Sequence, residues 1–377
     1  MFRFFKPLTN YSMILRARPP GVSWNISFGI ALGLALAFYA GPSVAWAEDV
    51  PAESVAANAF LSPGMQVHSQ PPAGFDPLTA SDLELQRFGF PPRPDARATP
   101  QQYAIWKKMV TAPQTRIVPS VEQTTIHNQP IQFAGRSAAG NPTNGTTQVA
   151  SLNWSGFAVV DANKPFASGT TVFGEYIVPI AQQAFGTCNG GWDYSAEWVG
   201  LDGVMSNDVL QAGIEDDAFC SGSSKKTFYK SWFEWFPNPS FRIKNLVIKP
   251  GNVVGVAVWN TSPTQANALI IDYTTQKAVS VAFNAPNGTV LTGDSVEWIV
   301  ERPEVNGTLA TLTNYVADPF NFCEAAVGAA AYGPGASPTG ATYSVNMLDA
   351  SNAVLSFADA YGASTLWFYE PGTAASP

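Results

Sequence analysis

Four short islands hold most of the polar groups that this sequence sets among aromatic and β-branched residues. The first is Asn153-Trp154-Ser155-Gly156. The second is Glu197-Trp198-Val199-Gly200-Leu201-Asp202-Gly203, with Leu210-Gln211-Ala212-Gly213 close behind. The third is Trp232-Phe233-Glu234-Trp235-Phe236-Pro237, and the fourth is Glu297-Trp298-Ile299-Val300-Glu301. The only histidines, His68 and His127, stand upstream of all four. From Val149 onward the chain therefore lacks the imidazole for Ser-His or Cys-His catalysis and for a His-ligated metal. No Ser-x-x-Lys stands at a helix start, no loop has the carboxylate spacing of a calcium site, and no glycine-rich phosphate loop is present. What remains is a carboxylate as general acid or base and a side-chain amide as a neutral hydrogen-bond donor. No metal and no cofactor is expected.

Strands must position these groups. Alternation along a strand puts Glu297, Ile299 and Glu301 on one face and Trp298 and Val300 on the other. It likewise puts Glu234 beside Trp232 and Phe236, on an aromatic surface of the kind that lines a ligand groove. Each pattern also fits a plainer role: two acids can mark a solvent face, and a single Trp most often belongs to the core. From Ser151 on, short alternating runs are split by turns. The runs are Thr171–Val178, Phe241–Ile248, Val253–Trp259, Ala268–Tyr273, Lys277–Phe283, Val296–Val300 and Thr365–Tyr369, with hairpin signals at Asn287-Gly288 and Asn306-Gly307. Such spacing predicts an all-β sandwich or barrel. Upstream, the chain is rich in Pro, Ala and Gln and predicts two helices. One covers Ser81–Phe88, ended by Gly89 and Pro91-Pro92. The other begins at Thr99-Pro100 and runs past Tyr103, Trp106 and Met109. The polar stretch Gly140–Thr147 reads as an exposed linker.

Taken in order, the islands resemble the eqolisin family of glutamic peptidases. Asn153–Gly156, Trp198–Gly203, Leu210–Gly213, Trp232–Pro237 and Val296–Glu301 match five family motifs, and the match weakens after Glu301. The resemblance implies a two-sheet antiparallel β-sandwich of concanavalin A-like jelly-roll form, made as an exported precursor with an N-terminal prosegment. It implies that Gln211 and Glu301 are the catalytic pair, and that Trp154, Trp198, Asp202 and Glu234 line or support a cleft for polypeptide substrates. Glu301, not Glu297, is the expected acid. Lys230 departs from the family pattern, as do the cysteine positions. The implied activity is acid endopeptidase. A jelly-roll glycoside hydrolase using Glu234 and Glu301, or a non-catalytic carbohydrate- or peptide-binding sandwich, are the alternatives; neither gives Gln211 an obvious task.

The organisation expected along the chain is a signal peptide over residues 1–47, a prosegment and linker over 48–148, and a sandwich domain over 149–377. Arg3, Lys6, Arg16 and Arg18 precede the apolar run Ile26–Ala40, Gly41-Pro42 breaks it, and Ala45-Trp46-Ala47 fits a signal-peptidase site. That pattern predicts a secreted, extracellular protein with no stable membrane association after cleavage. Acid-driven removal of the prosegment is expected between about Ile131 and Ser151, leaving an N-terminus near Val149. From Val149 on, nine Lys and Arg stand against twenty Asp and Glu, which argues against nucleic acid as a partner and suits acidic surroundings. A monomer is expected. Of the three cysteines, Cys188 and Cys220 flank one motif-rich segment and are paired here, leaving Cys323; the other two pairings stay open.

Overall fold

A computed structural model describes residues 64–134, 146–184 and 188–371. The expected signal peptide lies outside the described residues. So does most of the polar stretch read as a linker.

The alternating runs form two mostly antiparallel sheets packed face to face. In the front sheet the neighbours are, in order, Val121–Gln123, Phe241–Ile243, Ser224–Phe236, Val209–Ser221, Ala196–Leu201, Ser295–Glu301, Trp154–Val160 and Ala341–Leu348. In the back sheet they are Gln66–Val67, Lys277–Asn284, Gln265–Asp272, Val253–Ser262, Thr170–Ile177, Ala317–Val327, Thr365–Tyr369 and Val354–Tyr361. Between them lies a core to which one face of each sheet contributes: Val199, Leu210, Ala212, Phe233, Trp235, Trp298 and Val300 from the front, Val172, Val256, Val258, Ile270 and Val281 from the back. Removing these side chains from water is the main term favouring the fold.

The observed strands agree with the runs read from sequence to within a few residues, apart from Phe241–Ile248, where pairing stops at Ile243. Asn306 and Gly307 turn the chain between Glu304–Val305 and Thr308–Leu309, both with positive φ as a tight hairpin needs. Asn287-Gly288 makes a turn but no hairpin, because the strands on either side of it belong to different sheets. Thr146–Ser151 is a strand paired in parallel with Ala341–Leu348, so the boundary drawn at Val149 falls inside it.

The upstream region is built onto the sandwich. Ser81 caps the helix Asp82–Arg87 with a reciprocal Glu84 bond, and Pro100 opens the helix Pro100–Thr111. Leu85, Phe90, Ile105, Trp106 and Met109 pack on the outer face of the back sheet, against Phe173, Trp259, Leu269 and Ile271. Gln101 and Gln102 donate to the two oxygens of Glu324, each at 2.6 Å. The chain then adds Thr115–Arg116 to the edge of the back sheet and Val121–Gln123 to the edge of the front sheet.

Cys188 and Cys220 form a disulfide, and Cys323 is free and buried in the core. The cross-link closes a loop of 32 residues. Replacing both cysteines by serine is expected to lower the unfolding free energy by about 3 kcal/mol, read from urea unfolding at acid pH.

Candidate active site

The outer face of the front sheet carries the islands. Across the sheet, Gln211 stands opposite Gly200 on one side and Glu234 on the other, while Glu301 stands opposite Ala196 and Trp154. Between these two rows lies Trp198, opposite Gly213 and Ile299. A Cβ on Gly213 would sit 1.9 Å from the Glu197 carbonyl and 2.7 Å from Trp198 Cβ, so only glycine allows the indole to lie there. Alternation thus puts Trp154, Trp198, Gln211, Glu234 and Glu301 on one face, and all five are buried.

Glu301 is held by three donors. Trp198 Nε1 donates to its Oε2 at 3.0 Å; Asn153 Nδ2 and the Gln129 backbone N–H donate to its Oε1 at 3.1 and 3.0 Å. Burial pushes its carboxyl well above the usual range, against the pull of these donors, and Glu234 adds to the rise. The indoles of Trp154 and Trp198 meet edge to face, 4.9 Å between centroids, and fix the side of Glu301.

Gln211 presents its Nε2 to the Asn128 carbonyl and, at 3.2 Å, to Glu234 Oε2. Its Oε1 is buried with no hydrogen-bond partner among the described residues. Glu234 also accepts the Asn128 backbone N–H at 3.0 Å and faces His127 Nδ1 at 3.3 Å. Burial raises the Glu234 carboxyl and the His127 bond lowers it; the same bond raises the imidazole.

Residues His127–Gln132 run across this face. Ile126–His127 pairs with Glu304–Val305. Further on, Trp154 Nε1 donates to the Gln129 carbonyl at 2.9 Å, the Ile131 N–H to the Gly203 carbonyl at 2.9 Å, and the Gln132 N–H to Asn153 Oδ1 at 2.8 Å. Ile131 packs against the cluster that holds Trp154, Trp198, Trp232 and Ile299. One peptide unit therefore rests on both Gln211 and Glu301, its carbonyl (Asn128) on the first and its N–H (Gln129) on the second.

Asp202, expected to line or support the groove, bonds to a loop beside it. Its carboxylate accepts the backbone N–H groups of Thr292, Gly293 and Asp294 at 2.6–3.0 Å. Its φ of 69° turns the chain away from the strand end, so the acid anchors a neighbouring loop, while the next residue, Gly203, accepts from Ile131. Two residues given no role from sequence do belong to the site. Asn153 was visible as a polar residue opening the first island. His127 was set aside with the upstream region, yet it reaches Glu234 by chain return. A surface hollow lined by Phe157, Gly335, Ser344 and Asp359 holds none of these groups; beside Gln211 and Glu301, residues 127–132 fill the groove.

Residues 152–366 match the sequence profile of the Peptidase A4 family. The chain is 28% identical over 224 residues to aspergillopepsin-2 of Aspergillus niger, a match covering 55% of this chain and 76% of that relative. It is 27% identical over 150 residues to scytalidopepsin B of Scytalidium lignicola, covering 40% and 51%. Among solved structures, scytalido-glutamic peptidase with a transition state analogue inhibitor aligns with a TM-score of 0.48 at 22% identity, covering 58% of this chain and 98% of that one.

Proposed function

Since this chain belongs to the Peptidase A4 family, we propose that it is a glutamic endopeptidase acting in acid, made as a secreted precursor, with Glu301 and Gln211 as its catalytic pair. The observation that carries this reading is the single peptide unit whose carbonyl and N–H rest on the two side chains. The ionised fraction of Glu301, which its three donors favour against burial, takes a proton from a water lying against the scissile carbonyl carbon. Gln211 Nε2 donates to the oxygen as negative charge develops there, and Gln211 Oε1 orients the water. Protonated Glu301 then gives its proton to the leaving nitrogen. An amide donor is neutral at every pH, so this oxyanion site keeps its strength in acid.

Asn153 and Trp198 hold the carboxyl in place through the reaction. Trp154 binds the carbonyl that follows the leaving nitrogen. The upstream region, packed on the back sheet and lying in the groove, keeps the precursor inactive until it is cut. Secretion rests on the sequence pattern of residues 1–47; among the described residues no helix is long and apolar enough to cross a membrane.

The test is hydrolysis of a denatured protein at about pH 4, near the ordinary carboxylate pKa, with an inhibitor of aspartic peptidases present. The acid-treated chain is expected to cleave, and Gln211→Ala to reduce kcat by about 10²–10³-fold with peptide binding largely kept. Full activity in Gln211→Ala would remove the amide from the mechanism.

A further inference from the structure

We propose that His127–Gln132 lies in the groove as a polypeptide substrate lies, so that Asn128–Gln129 is the first bond the precursor cuts. The residue before Asn128 then marks a subsite, formed by Glu234, Phe236 and Glu304, that selects a cationic side chain. The proposal rests on the peptidase reading and deepens it.

Polarity supports it first. A bound substrate must put its reacting carbonyl oxygen on the oxyanion donor and its leaving nitrogen on the acid that protonates it. Asn128 O accepts from Gln211, and Gln129 N sits 3.0 Å from Glu301 Oε1. The flanking backbone is gripped on both sides: Asn128 N–H by Glu234 at 3.0 Å, Gln129 C=O by Trp154 at 2.9 Å and by Asn153 at 3.4 Å, Ile131 N–H by Gly203. These contacts use main-chain atoms and so would serve any sequence in this register.

Side-chain discrimination is concentrated at His127. Its ring meets Phe236 edge to face at 6.0 Å, its Nδ1 faces buried Glu234, and Glu304 lies close enough to favour positive charge. Among the described residues no basic side chain other than His127 is paired with Glu234. A Lys, Arg or protonated His fits that setting; an apolar side chain leaves Glu234 Oε1 without its partner, the other oxygen being held by Asn128 and Gln211.

In the cut itself, water gives its proton to Glu301 and its oxygen bonds to the Asn128 carbonyl carbon. The bond from that carbon to Gln129 N then breaks, and Glu301 returns the proton to the nitrogen. Asn128 ends as a carboxyl terminus and Gln129 as an amino terminus. Cleavage between Ile131 and Ser151 then follows as trimming by a second molecule.

The full-length chain, wild type and Glu301→Gln, is acidified at high and low protein concentration and followed by intact mass. The first product pair is expected to divide at Asn128–Gln129, with a rate constant independent of concentration, and to be absent in Glu301→Gln. A first division elsewhere, or a rate that scales with concentration, overturns the proposal. In parallel, the processed enzyme is given synthetic peptides spanning Gln123–Phe133 with His or Leu at position 127. The His peptide is expected to have a kcat/KM at least about tenfold higher, as loss of a hydrogen bond to a charged group implies, and Glu234→Gln to bring the ratio towards one. Equal rates in the wild type overturn the subsite. A denatured protein serves as control: its hydrolysis with the wrong first cut rejects this proposal alone, whereas no hydrolysis rejects the peptidase reading with it.

Discussion

Replacing Glu301 by glutamine is expected to lower kcat/KM for a denatured protein at about pH 4 by at least about 10³-fold, with the fold intact. The glutamine fills the same volume between Trp198 and Asn153 but binds no proton in the working range. Both the activation of water and the protonation of the leaving nitrogen are lost together. The amide also turns one donor towards the Trp198 or Asn153 donors, which costs about 1 kcal/mol of stability, small beside the change in rate. Glu297→Gln is the matched comparison. It lies four residues earlier on the same face, yet its shift arises from burial and from Asp202 and Asp294, and none of the groups that shift it lies in residues 127–132. Its activity is expected to stay within about tenfold of wild type. Equal loss in both variants would mean that the charge of the face matters and not a defined base; retention in Glu301→Gln would move the chemistry elsewhere.

Alternation was the most legible feature of the sequence. A side-chain period of two is local, and it put Glu297, Ile299 and Glu301 on one face and Glu234 with Trp232 and Phe236 on the same outer surface. What lies beside what was not legible. Trp198 and Asn153 reach Glu301 from 103 and 148 residues away, through strand pairings whose register no local pattern states. The resemblance to a family named the pair Gln211 and Glu301. It did not state the left-handed turn at Asp202 that carries that acid to the loop at 292–294, because a motif fixes residue types and not backbone turns.

Residues 127–132 were the hardest to read. His127-Asn128-Gln129-Pro130 has neither period nor apolar stripe, so it resembles linker. Its order comes from partners supplied by four other segments: Gln211, Glu234, Trp154 and Glu301. The same holds for the last strands. Ala317–Val327, Ala341–Leu348 and Val354–Tyr361 complete both sheets although the motifs fade after Glu301.

The processed or unprocessed chain is expected to be most stable at about pH 4 and to lose Tm steeply towards neutrality, by roughly 10 °C per pH unit. The cause lies inside the sandwich. Glu197 and Asp216 share a hydrogen bond there, Ser195 donates to Asp216, and Asp318 is buried with neither oxygen partnered among the described residues. Burial pushes Asp216 up to about 7 and Glu370 up to about 8; it drives Glu197, Asp318 and Glu297 upward as well. Unfolded, these acids titrate at about 4. Between about pH 4 and 7–8 the folded chain therefore holds protons that the unfolded chain has released. The contribution is fully present below the unfolded pKa and is lost as pH rises through the folded values. Each such proton is worth about 1.4 kcal/mol per pH unit, so three of them give about 4 kcal/mol per unit. Total stabilities are only about 5–15 kcal/mol. Glu84, Asp95, Asp161 and Asp349, whose carboxyls are held below the usual range by hydrogen bonds, work the other way and weaken in acid, but they lie at or near the surface, where solvent screens them. Thermal unfolding at stepped pH reads the slope directly. Asp318→Asn and Glu197→Gln keep shape without titrating, and each is expected to flatten the slope by about 1.4 kcal/mol per unit. A Tm that is level from about pH 4 to 7 would mean that these acids are ionised in the folded core. A steep fall instead ties folding to acid, the range proposed for the activity, because acid keeps the core carboxyls neutral.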